Sequence, residues 1–283
     1  MRPLNPSTLL RIVDAAHWDS VVAEWSQSRS VAFMRAYSDD VNRRLLARWL
    51  PTHATRILKT DVFDEAVSEG LYPVLRQTAD VVVGIDLSAE SVAAARSRYP
   101  ELQTHVCDVR ELPFPDASFD AIVSNSTLDH FASFDDLVAG VRELARVLSP
   151  GGQLVITLDN AWNPLVALRN ALPFRSLNRL GLVPYFVGVT CGPARLRVVL
   201  RQAGFDIVEM SAVMHFPRVI ARVLGSGYPS RRRPAALRAL GLLECLSRLP
   251  TRYVTGQFVA SRAVRREEPD ADPGARERGD VAG

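Results

Sequence analysis

The chain has 283 residues, 47% of them hydrophobic, and a formal net charge of +3, enough for one large or two small domains with a sizeable core. The charge is weak and its tight basic cluster, Arg231-Arg232-Arg233, has no interleaved stacking aromatics, so a nucleic-acid partner is disfavoured. No apolar run approaches the ~20 residues that span a bilayer, and the N-terminal stretch lacks a signal-peptide hydrophobic region, so a cytoplasmic location is expected.

Residues 7–50 read as helices. Leu9, Leu10, Ile12, Val13 and Ala16 begin one amphipathic stripe; Val41, Leu45, Leu46, Trp49 and Leu50 form a second, stopped by Pro51. Tyr37, Trp18, Trp25 and Phe33 either line a lid or pack helices together. Strands are expected at 55–59, 80–85, 103–107, 119–124 and 152–158, with helices near 62–77 and at 89–98 and 134–148. This alternation predicts a parallel sheet with helices on both faces. In helix 134–148, Leu137, Val141, Leu144 and Leu148 share a face, while Asp135 and Asp136 sit in the first turn, where negative charge suits the dipole.

Residues 160–192 break the rhythm with Pro, Gly and Asn. A helix at 193–203 ends at Gly204, and F-D-I-V-E-M begins a sixth strand. Leu237, Leu240, Leu243 and Leu246 then mark an apolar helix behind the triple arginine. It fits a core-facing helix with a solvated basic flank, or membrane contact through residues 231–249 as an interfacial helix on anionic lipid. From Arg265 the chain is charged and poor in large apolar residues, the composition of a disordered tail.

Ligands of open parallel sheets bind outside the carboxyl ends of the strands. Asp86, Asp108 and Asn125 stand at or just after three such ends and are expected to converge on one crevice. The phrases around them are V-V-V-G-I-D-L-S, then D-V-R-E-L-P-F-P-D-A-S-F-D-A-I-V-S-N-S, then R-V-L-S-P-G-G-Q-L-V-I-T. In this order they resemble class I S-adenosylmethionine-dependent methyltransferases, in particular the small-molecule group with the L-P-F-x-D-x-S-F-D phrase. The resemblance covers residues 50–160 and, more loosely, 200–262.

That resemblance implies an α/β fold, a Rossmann-like doubly wound, mostly parallel seven-stranded sheet with an N-terminal helical cap. The implied organisation is a cap at 1–50, a cofactor-binding core at 51–160 and an acceptor-site insertion with its helix at 161–200. A C-terminal part of the sheet with a helical insertion follows at 201–264, then a tail at 265–283. Phe119-Asp120 opens the fourth strand, Pro150-Gly151-Gly152 is the turn before the fifth, and residues 252–262 supply a seventh strand antiparallel to its neighbours. The cofactor implied is S-adenosylmethionine. Asp86 would hold both ribose hydroxyls, since a carboxylate has two acceptor oxygens for two donors. Leu87 would flank the adenine, and the Asp108 carboxylate with the Val109 N–H would read its edge.

The family's G-x-G-x-G turn after the first strand is missing. Lys59, Thr60 and Asp61 stand where it begins, and no glycine follows until Gly70. Glycine allows positive φ and close backbone approach, which a dinucleotide pyrophosphate needs at a helix N-terminus; a nicotinamide or flavin enzyme is therefore disfavoured. S-adenosylmethionine carries no phosphate, so side chains can replace backbone contacts. Asp61 is expected to accept from its ammonium. Lys59, the only lysine in the chain, either pairs with its carboxylate or bridges to Asp61, Asp64 or Glu65.

Methyl transfer needs chiefly positioning and exclusion of water. A base is required only where the acceptor must lose a proton. His130, just beyond the fourth strand, is the best candidate, because an imidazole titrates near neutrality, with Asp129 to orient it or to cap the following helix. Asp159, Asn160 and Asn163 face the acceptor or form a turn, and His215 ends the sixth strand. Cys107, Cys191 and Cys245 lack metal or disulfide spacing; Cys107 reads as a buried structural thiol in the third strand. No His/carboxylate spacing resembles a metal site. The activity expected is methyl transfer to O, N or C of a small-molecule acceptor; the competing reading is a non-catalytic S-adenosylmethionine-binding or regulatory protein on the same fold.

Overall fold

Apolar runs such as Ile57-Leu58, Val82-Val83 and Ala121–Val123 are buried throughout, the condition of strands covered on both faces. The computed structural model of the chain describes residues 15–25, 29–180, 183, 187–217, 220 and 233–267. Among them, β1 (Ala54–Lys59), β2 (Ala79–Asp86), β3 (Gln103–Val106), β4 (Phe119–Asn125), β5 (Leu148–Asp159), β6 (Phe205–Val213) and β7 (Phe258–Arg265) form one sheet in the order β3-β2-β1-β4-β5-β7-β6. Strands β1 to β5 pair in parallel, and β7 runs antiparallel to both β5 and β6. The chain winds outward in both directions from β1 and β4, so the topological switch point, where such sheets bind ligands, lies between them.

Alternate residues of each strand feed two cores. Ile57, Val82, Ala121 and Val155 pack with Trp49, Leu45, Leu71 and Leu75 on one face. Leu58, Val83, Ile122 and Ile156 pack on the other with Leu137, Val141 and Leu144 of the Phe134–Val147 helix and Leu196 and Leu200 of the Pro193–Gln202 helix. No helix of the described residues is long and apolar enough to cross a membrane.

Several boundaries differ from the sequence expectation. The helix expected near 62–77 is two, Phe63–Val67 and Tyr72–Thr78. Gly70 breaks it at φ +65°, and Glu65 Oε1 accepts the N–H groups of Leu71 and Tyr72, satisfying donors that a helix start leaves open. Pro150-Gly151-Gly152 lies inside β5, as a bulge where the pairing shifts from Phe119–Leu148 to Ala121–Gln153. Strand β7 starts at Phe258, because Arg252–Thr255 form a helical turn and Asn160 and Asn163 bind the carbonyls of Tyr253, Gly256 and Thr255.

Arg265 belongs to β7 and its guanidinium reaches the Arg146 carbonyl (3.2 Å); the rest of the expected tail, from 268, lies outside the described residues. So do Leu9–Val13 of the first stripe and Arg231-Arg232. In the Arg233–Leu242 helix, Leu237 and Leu240 pack towards the N-terminal helices. Leu243 and Leu246 fall in a separate 3-10 helix, Leu243–Arg248, where Leu243 is exposed, so only the first half of the expected stripe faces the core.

Candidate active site

A cavity of about 210 Å³ opens at the carboxyl ends of β1, β2 and β4. Thr60, Asp61, Asp86, Leu87, Asp108, Val109, Asn125 and His130 all line it. Lys59 and Asp129 stand behind its wall.

Asp86 ends β2 and is only 9% exposed. Its Oδ1 accepts the Ser88 N–H (2.9 Å) and its Oδ2 the Val62 N–H (3.1 Å). Burial pushes its carboxyl up to about 7 against the pull of those two donors and of Lys59. Asp108 contrasts with it. Burial raises this carboxyl too, but the Arg110 guanidinium and N–H outweigh burial and hold it below the usual carboxylate range. Arg110 also bonds Asp136 (2.7 Å) and lies over the Phe131 ring. One carboxylate is thus already paired, and the other is buried with two neutral donors.

The glycine-free loop is held by charge. Lys59 is 1% exposed; its Nζ lies 2.9 Å from Glu65 Oε2 and donates to the Asp61 carbonyl (2.6 Å). Asp61 Oδ1 and Asp64 Oδ2 stand 3.4 and 3.9 Å from it. Burial works to lower its pKa, and Asp61 and Glu65 reverse that and raise it. Of the two roles open to Lys59 the ion pair is the one formed; its buried ammonium meets carboxylates of the loop that water screens little. Asp61 does face the cavity, its Oδ2 accepting from Thr127 Oγ1 (2.9 Å). Thr60 Oγ1 bonds Ser124 (3.1 Å) and Thr127 (2.7 Å). Asn125 donates to Asp64 (3.3 Å) and accepts from Thr157 (2.9 Å).

His130 closes the 3-10 turn Leu128–His130, with the edge of Trp18 against its ring (centroids 4.7 Å). Its Nε2 lies 3.9 Å from Asp129 Oδ1, within ion-pair range and too long for a hydrogen bond. Asp129 is instead fixed by Ser126 Oγ (2.9 Å) and the Asp159 N–H (2.9 Å). Burial raises its carboxyl above the ordinary range against the opposing His130. Asp159 pairs with Arg169 (2.7 Å), and Asn163 caps the Pro164–Ala171 helix, so these residues take the turn role. His215 is buried between Thr255 (2.8 Å) and the Ala212 carbonyl (3.1 Å). Cys107 falls just after β3, half-buried and lining the cavity, rather than inside an apolar strand.

The sequence offered Trp18, Trp25, Phe33 and Tyr37 of the cap as lid or packing residues and missed the polar residues that the cap contributes. Trp18 lines the cavity, whereas Trp25, Phe33 and Tyr37 are core residues. Arg35, Ser38 and Asn42 of the Arg29–Trp49 helix also line it, and Arg35 forms buried ion pairs with Asp64 and, at 3.2 Å, Asp39. Their spacing of three and four on an otherwise apolar helix face was the available signal. Ser126 and Met214, lining the cavity at φ 55° and 59°, left none.

Residues 47–156 match the protein-family model described as a methyltransferase domain. Over these residues the chain is similar to methyltransferase domains. A probable S-adenosylmethionine-dependent methyltransferase of Mycolicibacterium smegmatis is 30% identical over 163 residues, covering 57% of this chain and 58% of that protein. A demethylmenaquinone methyltransferase of Chlorobaculum parvum is 39% identical over 141 residues, 45% of this chain and 57% of that protein. The chain therefore spans less than two thirds of the length of these curated relatives. Among solved structures, a Thermotoga maritima protein titled as an S-adenosylmethionine-dependent methyltransferase, possible histamine N-methyltransferase, superposes with a TM-score of 0.58 at 17% identity, covering 89% of this chain and 99% of that one. This last likeness concerns the fold alone, the seven-stranded mixed sheet of class I methyltransferases.

Proposed function

We propose that the protein transfers a methyl group from S-adenosylmethionine to O, N or C of a small-molecule acceptor. The observation that carries this reading is the convergence of Asp61, Asp86, Asp108 and Asn125 on one cavity at the switch point of a class I sheet. The residues suit the cofactor. Asp86 is buried with only two backbone donors on its oxygens, and two ribose hydroxyls are the further donors that favour its ionised form. Leu87 and Val109 offer an apolar wall for adenine, with the Asp108 carboxylate at its edge. Asp61 offers an acceptor for the ammonium, beside Thr60 and Asn125.

When bound, S-adenosylmethionine supplies a methyl group already activated by its sulfonium charge. What remains for the chain is to orient the acceptor and keep water out. Trp18, Phe63, Phe131, Met214 and Phe258 give the cavity its apolar wall. His130 has the chemistry to take a proton from an acceptor that must lose one, with Asp129 acting on it by charge at 3.9 Å rather than by a hydrogen bond. A cavity of about 210 Å³ with aromatic walls favours a small acceptor over a nucleic acid.

The inward-facing Lys59 and the glycine-free loop favour a second reading, a non-catalytic S-adenosylmethionine-binding or regulatory protein. Calorimetric titration with S-adenosylmethionine, followed by S-adenosylhomocysteine release in the presence of acceptor mixtures, separates the two. Turnover is the expected result. Binding without turnover across acceptor classes would leave the regulatory reading, and no binding would remove both.

A further inference from the structure

Beyond β5 the chain turns an apolar stripe outward. In the Pro164–Ala171 helix the buried side belongs to Val166, with Asn163 before it. Asn163 accepts the Leu165 and Val166 N–H groups and donates to the Thr255 carbonyl (3.0 Å), while Arg169 is tied to Asp159. The helix is therefore docked firmly by a polar underside, and its exposed stripe is a consequence of that docking. Trp162, Leu165, Leu168 and Leu172 are 44–57% exposed, and Leu180, past the Phe174–Arg179 helix, is 72% exposed. Contiguous exposed apolar side chains of this kind mark contact surfaces rather than ordinary solvated ones.

Charge says what the surface meets. From Asn160 to Gly204 the sequence holds six arginines and no aspartate, glutamate or lysine. Arg175 and Arg179 are exposed beside the stripe. A second copy of the chain fits poorly, because a two-fold contact would set these arginines against their own counterparts. Leucines flanked by arginine, with a tryptophan at the edge, match the interface of an anionic bilayer: apolar side chains enter the acyl boundary while guanidinium groups meet lipid phosphates. We propose that residues 162–180 dock the protein on anionic lipid membranes. The segment leaves the carboxyl end of β5, so docking sets the cavity edge of the sheet towards the bilayer. This surface is distinct from residues 231–249 and does not depend on the methyl-transfer reading.

The test is co-sedimentation of the full chain with vesicles of phosphatidylcholine alone or mixed equally with phosphatidylglycerol, at low and high salt. Binding is expected with the anionic vesicles only, and weaker at high salt. Leu165→Asp with Leu168→Asp should reduce it at least tenfold, since a leucine leaving hydrocarbon loses roughly tenfold in partitioning. Arg175→Glu with Arg179→Glu, which touches no packed side chain, should reduce it by a similar factor and is the control should the leucine variant misfold. Equal binding to both vesicle types, no binding to either, or binding that survives both variants would overturn the proposal. So would a dimer in velocity sedimentation that the leucine variant splits, since the stripe would then be covered by a second copy.

Discussion

Val62 fills the space that a side chain on Gly84 would need: an ideal Cβ on Gly84 overlaps Val62 Cγ1. The first loop and the middle of β2 thus approach closely, and it is the strand that leaves out a side chain to allow it. The same contact presents the Val62 N–H to Asp86. Gly84→Ala should destabilise the protein by about 1–3 kcal/mol, the usual cost of overpacking, read as a shift in the urea midpoint. Adding Val62→Ala should recover most of it. An unshifted midpoint in Gly84→Ala would show that the loop has room to spare.

The buried pair Lys59–Glu65 predicts a different pattern. Lys59→Met strands the Glu65 carboxylate without its cation, and breaking a buried ion pair from one side costs about 3–5 kcal/mol. Glu65→Gln keeps an oxygen for the Leu71 and Tyr72 N–H groups and removes the charge. The double variant Lys59→Met, Glu65→Gln should therefore be more stable than Lys59→Met alone. If instead the two losses simply add in chemical denaturation, the pair is not what holds the loop.

How much of this was legible varies by element. The strands carrying Asp86 and Asn125 were readable because apolar runs stop at a polar residue, and both residues do meet at the cavity. The break at Gly70 had a signal in Gly70 and Pro73, the residue types that end one helix and open the next; the Glu65 cap that fixes it had none. Lys59 was ambiguous for a physical reason, since a cation at a strand end serves a ligand or neighbouring carboxylates equally well in sequence. Arg35 left only a weak signal, its spacing with Ser38 and Asn42, because it reaches the cavity from a helix that the sheet motifs do not index.

His130 faces the cavity while its partner Asp129 stands too far for a hydrogen bond. If His130 is a base, His130→Ala should lower turnover by roughly 10²–10⁴-fold with little change in S-adenosylmethionine affinity. His130→Gln, which keeps volume and polarity, should not rescue it. Near-wild-type turnover in either variant would leave His130 a packing partner of Trp18.

Asp61→Asn separates ligand contact from loop structure. If the carboxylate meets the ammonium of the methionine moiety, S-adenosylmethionine and S-adenosylhomocysteine should both bind roughly 10–100-fold more weakly, the value of a charge-assisted hydrogen bond. Adenosine lacks that ammonium and should bind as to wild type. Equal weakening of all three ligands, together with a fall in melting temperature, would assign Asp61 to the loop and its Lys59 contact instead.

Asp86 makes affinity and stability respond to pH in opposite directions. Burial holds its carboxyl at about 7 in the folded chain against the ordinary 3.8. The folded state therefore holds a proton that the unfolded state has released between about pH 4 and 7. Stability from this group is fully present below pH 4 and declines as pH rises through 7, by up to about 1.4 kcal/mol per pH unit. Asp129, also raised, contributes with the same sign, so the quantity to measure is the difference between wild type and Asp86→Asn in urea midpoints from pH 4 to 8. That difference should move in favour of Asp86→Asn as pH rises. Ligand affinity should move the other way, because two ribose hydroxyls need an ionised acceptor. S-adenosylmethionine and adenosine should both bind wild type about tenfold more weakly at pH 6 than at pH 8. Asp86→Asn should bind weakly at both, with that dependence gone. A wild-type dissociation constant flat across this range would mean that the ribose rests elsewhere in the cavity.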